Sequence, residues 1–241
     1  MDEKYRIEVH VHTKYSHDSL LPFWLLYLLC RVRGITHIAI TEHNNIKGGI
    51  AFRDYCNSKG SKLHVIVGEE VMTTQGEIIG LFLSKEIKSG LTPEQTMDEV
   101  ISQNGIVYIP HPYDLKRCRT VLEEQAIAKN VSKIHCVESH NGRNISPTYA
   151  DMQKLIAEKY GLTKVIGSDA HTCFEIGRNY MEVTIPPESA KAFLQAIRNP
   201  IFHKRECLKF AHTITKFARI VRFIQRGDIH GLYRAINKKL R

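Results

Sequence analysis

Short apolar, β-branched runs recur along the chain at 5–11 (YRIEVHV), 36–41 (THIAIT), 63–68 (LHVIVG), 105–110 (GIVYIP), 133–138 (KIHCVE), 164–168 (KVIGS) and 181–185 (MEVTI). Such runs, bounded by turn residues, predict strands. A further run, 77–83 (EIIGLFL), follows the third after the turn-like TTQGE and predicts a hairpin partner. The intervening segments predict helices over roughly 20–33, 46–59, 93–103, 116–129, 147–160 and 188–198. Pro93 and Pro147 suit first turns, while Gly34, Gly60, Gly105 and Gly161 follow helix ends. Strand–helix alternation of this length predicts an α/β fold with a parallel sheet, either doubly wound or closed into a barrel. No G-x-G-x-x-G or P-loop follows any strand, so the expectation is a seven-stranded barrel in place of a nucleotide-binding open sheet.

Composition changes this picture at one place. With 241 residues and 43 % apolar content, the chain suits one large domain or two small ones with a sizeable core. The net charge is +9, yet residues 203–241 hold 11 basic and 2 acidic residues, leaving 23 of each sign in residues 1–202. The expected organisation is therefore a neutral body over 1–202 and a basic tail over 203–241. In the tail, Phe210, Ile214, Phe217, Val221 and Ile224 form one helical stripe. Lys209, Lys216, Arg219, Arg222 and Arg226 gather on the other side. The plain expectation is a last helix packed on the body with a solvated basic face. The sharper one is contact of 208–241 with an anionic partner, nucleic acid or membrane lipid.

The six cysteines form no CxxC pair and read as reduced thiols. The charged amino terminus enters a strand at once, so the expectation is that no signal peptide is present. The longest apolar run, 20–30, is too short to cross a bilayer and reads as a buried or interface helix. These features predict a cytoplasmic protein.

The chemistry gathers at the strand ends. IEVHVHTKYSHDS (7–19) places His10 and His12 at the end of the first strand, where alternate residues project together, as a metal site needs. TEHN follows with Glu42 and His43, GEE with Glu69 and Glu70, and PHP with His111. VESHNGR then supplies Glu138, His140, Asn141 and Arg143, and GSDAH supplies Asp169 and His171. One polar residue at a strand end is unremarkable. Six such groups in series, all at carboxyl ends, point to a single mouth, because those ends converge in a parallel barrel.

H-x-H, T-[DE]-H-N, G-x-E, H-P and S-D-A-H, in this order, resemble the polymerase and histidinol phosphatase (PHP) domain family over about residues 5–200. The resemblance implies a distorted seven-stranded β/α barrel that binds up to three divalent metals and hydrolyses phosphate esters. By position, it assigns His10, His12, Glu69 and Asp169 to a first metal. Glu69 would bridge to a second, which His111 also binds. His43, His171 and Asp18, or in its place His17, would hold the third. Asp169, His171 and Glu69 then stand at the centre of catalysis. Glu69 is preferred to Glu70 because the family ligand directly follows the glycine.

Three departures from the pattern follow. Glu42 stands where aspartate is usual, the SHDS segment is one residue longer than the usual SDG, and Glu77 stands where many members put a histidine on the second metal. Glu77 is either a carboxylate ligand there or a solvent-facing hairpin residue. Mixed imidazole and carboxylate ligands suit Zn²⁺, Mn²⁺ or Fe²⁺, with Mg²⁺ also possible. Arg143 and Arg178, with His140 lining the pocket, are candidates for binding the phosphate of a small phosphorylated metabolite or nucleotide. Two other classes remain open: an amidohydrolase-type barrel, which usually adds a carboxylated lysine that is not evident here, and a regulatory domain that has lost its metals.

Overall fold

The computed structural model describes residues 3–229; His230, the tail beyond it and the Arg226 side chain lie outside the described residues. The order of elements is β1 (Tyr5–Val11), α1 (Phe23–Arg33), β2 (His37–His43), α2 (Lys47–Ser58), β3 (His64–Thr73), β4 (Gly76–Leu81), α3 (Pro93–Ser102), β5 (Ile106–Ile109), α4 (Glu124–Lys129), β6 (Cys136–Asn141), α5 (Pro147–Lys159), β7 (Thr163–Gly167), β8 (Tyr180–Val183), α6 (Ala190–Ala196), β9 (Ile201–His203) and α7 (Lys209–Arg226). Pro93 and Pro147 occupy the first turns of α3 and α5, and Thr92 with Gln95 makes a reciprocal capping box on α3.

The strands form one barrel-like sheet of nine, in the order β7-β6-β5-β4-β3-β2-β1-β8-β9. This corrects the expectation of seven parallel strands. β1–β2–β3 and β5–β6–β7 are parallel, but β4 lies antiparallel between β3 and β5. The run expected as a side hairpin is thus a full member of the sheet. The run expected as the seventh parallel strand, β8, pairs antiparallel with the first half of β1 at Tyr5–Ile7. The second half of β1 turns to the segment after β7. Ser168 donates its backbone N–H to Val9 O at 3.0 Å, and His12 donates to Ala170 O at 2.8 Å. The barrel therefore closes at the carboxyl ends of its strands, where the histidines are.

Burial on both faces explains the nearly continuous apolar strands. Inward-facing Ile7, Val9, Ala39, Ile66, Ile79, Leu81, Ile106, Tyr108 and Val165 share a core with Phe193 of α6. Outside, Val67, Val71, Ile78, Val107, Ile109 and Val137 pack with Met97 and Val100 of α3 and with Ile127 and Ile156. Ile38, Ile40 and Val65 pack against Leu26 of α1 and Phe52 of α2. The apolar run 20–30 is buried along Phe23, Leu26 and Cys30, whereas Trp24 and Leu28 are exposed. No helix among the described residues is long and apolar enough to cross a membrane.

The tail docks in a way its pattern did not foretell. The proposed boundary at residue 202 falls inside β9, which pairs with β8. α7 then lies back on the body through Ala211, Thr215 and Ala218, all buried, while Phe210, Phe217 and Ile224 of the apolar stripe are 49 %, 62 % and 63 % exposed. Small side chains let the helix approach closely. Arg219 and Arg222 on that side find acceptors in the loop after β1, so the basic face turns inward in part.

Candidate metal centre

A regular β1 would put His10 and His12 on the face of Glu8, away from inward-pointing Ile7 and Val9. A bulge between Glu8 and Val11 prevents this, with His10 in the left-handed region at φ 65°. One extra residue re-aims everything beyond it: His10 and His12 enter the mouth, while Val11 joins the outer core. Two more residues of the mouth share this uncommon backbone, His111 at φ 28° and Asp169 at φ 51°. Three of the six non-glycine residues with positive φ among the described residues thus belong to one side-chain cluster, as in a site held in place by its surroundings.

Glu70 lies at the centre. Its Oε1 is 3.2 Å from His10 Nε2 and 3.1 Å from His111 Nε2, and its Oε2 is 3.0 Å from His43 Nδ1 and 3.4 Å from His12 Nε2. One carboxylate thus faces four imidazoles. The preference for Glu69 is corrected here, because successive residues of a strand face opposite sides. Glu69 points outward with Val67 and Val71, where its Oε2 accepts the Ile87 backbone N–H at 2.9 Å. Burial raises its pKa to about 7. Glu70 is buried as well, which opposes ionisation, but His10 and His43 hold its carboxyl well below the usual range.

Around Glu70 the other ligand-type groups fall into overlapping sets: His10, His111 and Asp169; His12, His43 and His171; His10, His12 and Glu70; His17, Asp18 and His43; His43, Glu70 and Glu77. Asp18 Oδ1 lies 3.3 Å from His171 Nε2 and 3.4 Å from His43 Nε2, whereas the His17 side chain is 37 % exposed at the rim. Glu77 turns into the site and away from solvent, with Oε2 3.5 Å from His111 Nε2 and Oε1 3.7 Å from His43 Nδ1. Burial, then the nearby Glu70 charge, raises its pKa to about 7.

Hydrogen bonds behind the cluster select which imidazole nitrogen faces it. His10 Nδ1 donates to Glu138 Oε1 at 2.7 Å. His171 Nδ1 donates to the Asp169 carbonyl at 2.8 Å. Ser16 gives its hydroxyl proton to Glu42, so its oxygen accepts from His12 Nδ1 at 3.1 Å. All three rings are left with Nε2 toward the centre, the arrangement that fixes tautomer and orientation in metal sites. Glu138 also accepts from the Tyr108 hydroxyl, from the His111 backbone N–H at 2.7 Å and from Asn141 Nδ2 at 2.8 Å. Two glycines make room for these supports. A Cβ on Gly167 would run into the Glu138 carboxylate, and one on Gly48 into that of Glu42.

Among the described residues, His10 Nε2, His12 Nε2 and Asp18 Oδ1 are buried without a hydrogen-bond partner. Buried polar atoms are costly unless something satisfies them. Nitrogen lone pairs beside carboxylate oxygens fit divalent cations, and the residue set fits Zn²⁺, Mn²⁺ or Fe²⁺ by its donor types. Asp169, which burial alone would push up, stays well below the usual carboxylate range because Arg117 and then His10 and His171 adjoin it.

The expected phosphate-binding residues make no direct contact with this cluster, although the Arg143 charge is near enough to help hold the Asp169 carboxyl down. Arg143 is 3 % exposed and lies under α7, donating to Thr215 Oγ1 at 2.9 Å, with its Nε 3.4 Å from Glu175. Arg178 donates to the Glu206 carbonyl. His140 is half-buried beside Asn179. Two arginines that sequence reasoning missed do reach the cluster: Arg117 pairs with Asp169, and Arg219 Nη2 lies 3.1 Å from Asp18 Oδ2. Arg117 sits in a segment read as helix 116–129, of which only 124–129 is helical; its place in the loop had no local signal.

Residues 8–234 match the family model of the PHP domain. An uncharacterised protein of Methanocaldococcus jannaschii is 37 % identical over 185 residues, 73 % of this chain and 70 % of that protein. A second from the same organism is 38 % identical over 120 residues, 45 % and 68 % of the two chains. Among solved structures, a two-domain protein of Bacteroides vulgatus containing a predicted PHP-like metal-dependent phosphoesterase aligns with a TM-score of 0.63 at 19 % identity, over 84 % of this chain and 66 % of that one. An amidohydrolase of Chromobacterium violaceum aligns with a TM-score of 0.57 at 16 % identity, over 79 % and 96 %. At these identities the structural likenesses show the fold.

Proposed function

This chain belongs to the PHP domain family, and we propose that it hydrolyses phosphate esters of small phosphorylated metabolites or nucleotides, with two or three divalent metals held at the barrel mouth. The observation that carries this reading is the convergence of unpartnered buried nitrogens of His10 and His12 on Glu70 and Asp169. Clustered divalent ions supply a water acidic enough to attack near neutral pH and offset charge on the phosphoryl oxygens. The protein's part is to hold that set rigidly. Glu138, Ser16 and the Asp169 carbonyl orient the imidazoles, and Glu70 joins both halves of the cluster. Arg117, half-buried at the rim, offers a guanidinium to an incoming phosphoryl group. Glu77 adds an oxygen ligand that moves relative preference from Zn²⁺ toward Mn²⁺ or Mg²⁺.

The amidohydrolase reading is weaker. It calls for a carboxylated lysine inside the barrel, and every lysine among the described residues is exposed or half-buried. The deciding experiment is metal analysis followed by a phosphatase screen with Mn²⁺, Zn²⁺ or Fe²⁺. Turnover of phosphate esters is expected, and His10→Ala or Asp169→Ala should abolish it in folded protein. Undiminished turnover by a folded Asp169→Ala protein would rule the assignment out.

We also propose that the outer face of α7 meets an anionic membrane surface in the cytoplasm. Exposed Phe210, Phe217 and Ile224 run beside exposed Lys209 and Lys216, and Phe174 extends the patch through its ring contact with Phe210. Phe217→Ser with Ile224→Ser should lower retention on phosphatidylserine vesicles; equal retention of variant and wild type, or retention on nucleic acid alone, would remove this reading.

A further inference from the structure

Helix α7 stands outside the barrel, yet one of its turns reaches the rim of the metal cluster. Four of its residues put it there. Thr215 accepts the Arg143 guanidinium at 2.9 Å, and Ala211 and Ala218 are buried against the body. Arg222 donates its Nε to the Ser19 carbonyl at 3.2 Å and its Nη2 to the Lys14 carbonyl. The last pair ties the helix to the loop that carries Asp18. With 215, 218 and 222 so fixed, Arg219 is directed to the mouth.

Arg219 is engaged there only in part. Its Nη2 meets Asp18 Oδ2 at 3.1 Å, while the other oxygen of Asp18 faces His43 and His171. Its Nε is buried without a hydrogen-bond partner among the described residues, although 43 % of the side chain is exposed. A guanidinium carries five N–H donors in a planar fork that suits two oxygens of one anion. A purely structural ion pair would place the fork squarely on the carboxylate. Here Nη2 touches it and Nε is orphaned, at an aspartate that also faces His43 and the more exposed His17.

We propose that Arg219 is a substrate-binding residue, whose free donors take a phosphoryl oxygen of the substrate on the Asp18 side of the cluster while Arg117 approaches from the Asp169 side. The assignment rests on the phosphoester reading above. It makes the tail helix a wall of the active site and ties substrate affinity to its docking. Truncation before α7 then removes a binding group and does not leave catalysis on small esters intact.

The test uses the full-length, metal-loaded protein with Arg219→Ala and Arg219→Lys. Inorganic phosphate binding is measured by calorimetry, KM and kcat with p-nitrophenyl phosphate, and metal content and thermal unfolding alongside. Loss of a charge-assisted hydrogen bond should weaken phosphate binding and raise KM by about 10–100-fold, with a smaller change in kcat. Arg219→Lys should recover only part, since the charge returns without the fork. Metal content should not change. Equal phosphate affinity and KM in wild type and Arg219→Ala would overturn the proposal and leave Arg219 as a docking contact. A gain of metal or of turnover in Arg219→Ala would also overturn it, by showing that the arginine blocks Asp18. Should the wild type neither bind phosphate nor hydrolyse any phosphate ester, the phosphoester reading itself fails, and the role of Arg219 with it.

Discussion

The two ends of the barrel are equally buried and chemically opposite. Near α6, Ile7, Ile79, Ile106 and Phe193 are fully buried. At the mouth, His10, Glu70, His111, Glu138 and Asp169 are between 0 % and 1 % exposed, provided by the same strands or the residues just after them. Burial alone therefore does not single out the site. What separates the ends is satisfaction and backbone geometry. The apolar end is filled by side chains that need no partners, and its exceptions are scattered: Phe82 at φ 60° against Phe193, and the buried His37 Nε2 without a hydrogen bond. The mouth carries bulges in β1 and β6, left-handed residues at His10, His111 and Asp169, and imidazole nitrogens without hydrogen bonds. One end supplies stability; the other draws on it to hold charged groups in a conformation they would not adopt alone.

The sharpest way to break this contrast lies in two adjacent glutamates. Support residues behind a metal ligand typically contribute about 10–100-fold in metal affinity, and a carboxylate facing four imidazoles should exceed that. Glu70→Gln is expected to lose metal on dialysis and to lose hydrolysis, whereas Glu69→Gln should keep both. Metal analysis of the two folded variants decides between them, and the reverse result would restore Glu69 to the site.

Next in size is the apolar end. Phe193→Ala should cost about 3–5 kcal/mol in urea unfolding, as lost burial plus a cavity. Metal bound per folded chain should stay at the wild-type level. A fall in metal content in the folded variant would show that the two ends are not separable.

The smallest effect is a dependence on pH. Glu69 is raised from an ordinary 4.5 to about 7 by burial, partly offset by the Ile87 N–H. A raised acid binds its proton more tightly in the folded state. Its contribution is therefore complete below the unfolded value and is lost as pH climbs through about 7. Glu69→Gln should unfold at a temperature closer to wild type at pH 5 than at pH 8, where the variant should be a few degrees more stable. Thermal scans at both values check this, and an equal offset at both would mean that Glu69 is ionised in the folded chain.

Much of the cluster was legible from residue types at strand ends. His10, His12, His43, His111, Asp169 and His171 all follow apolar runs, and Asp18 lies within the first such loop. The choices that failed share a cause. β3 is apolar on both faces, so alternation gives no sign of which of Glu69 and Glu70 points inward. Arg143 and Arg178 had the right chemistry and positions near strand ends, but the side chains of their neighbours, Thr215 and Glu175 for one and the Glu206 carbonyl for the other, claim them. Arg117 and Arg219 lie in segments whose local pattern says only turn and amphipathic helix.

By itself, the sequence determined the order of strands and helices, the apolar faces that make them pack, and the set of imidazoles and carboxylates available at one end. These are local properties, set by side-chain period, caps and turn residues. Only the tertiary structure decided that β4 enters the sheet, that β8 runs antiparallel beside β1, that a bulge turns His10 and His12 inward, and that α7 reaches the mouth. Each of these depends on partners far away in the chain. The bulge at His10 is held by bonds to 168–170, and the place of Arg219 by carbonyls at 14 and 19. A local pattern has no means of encoding the direction in which a distant acceptor will lie.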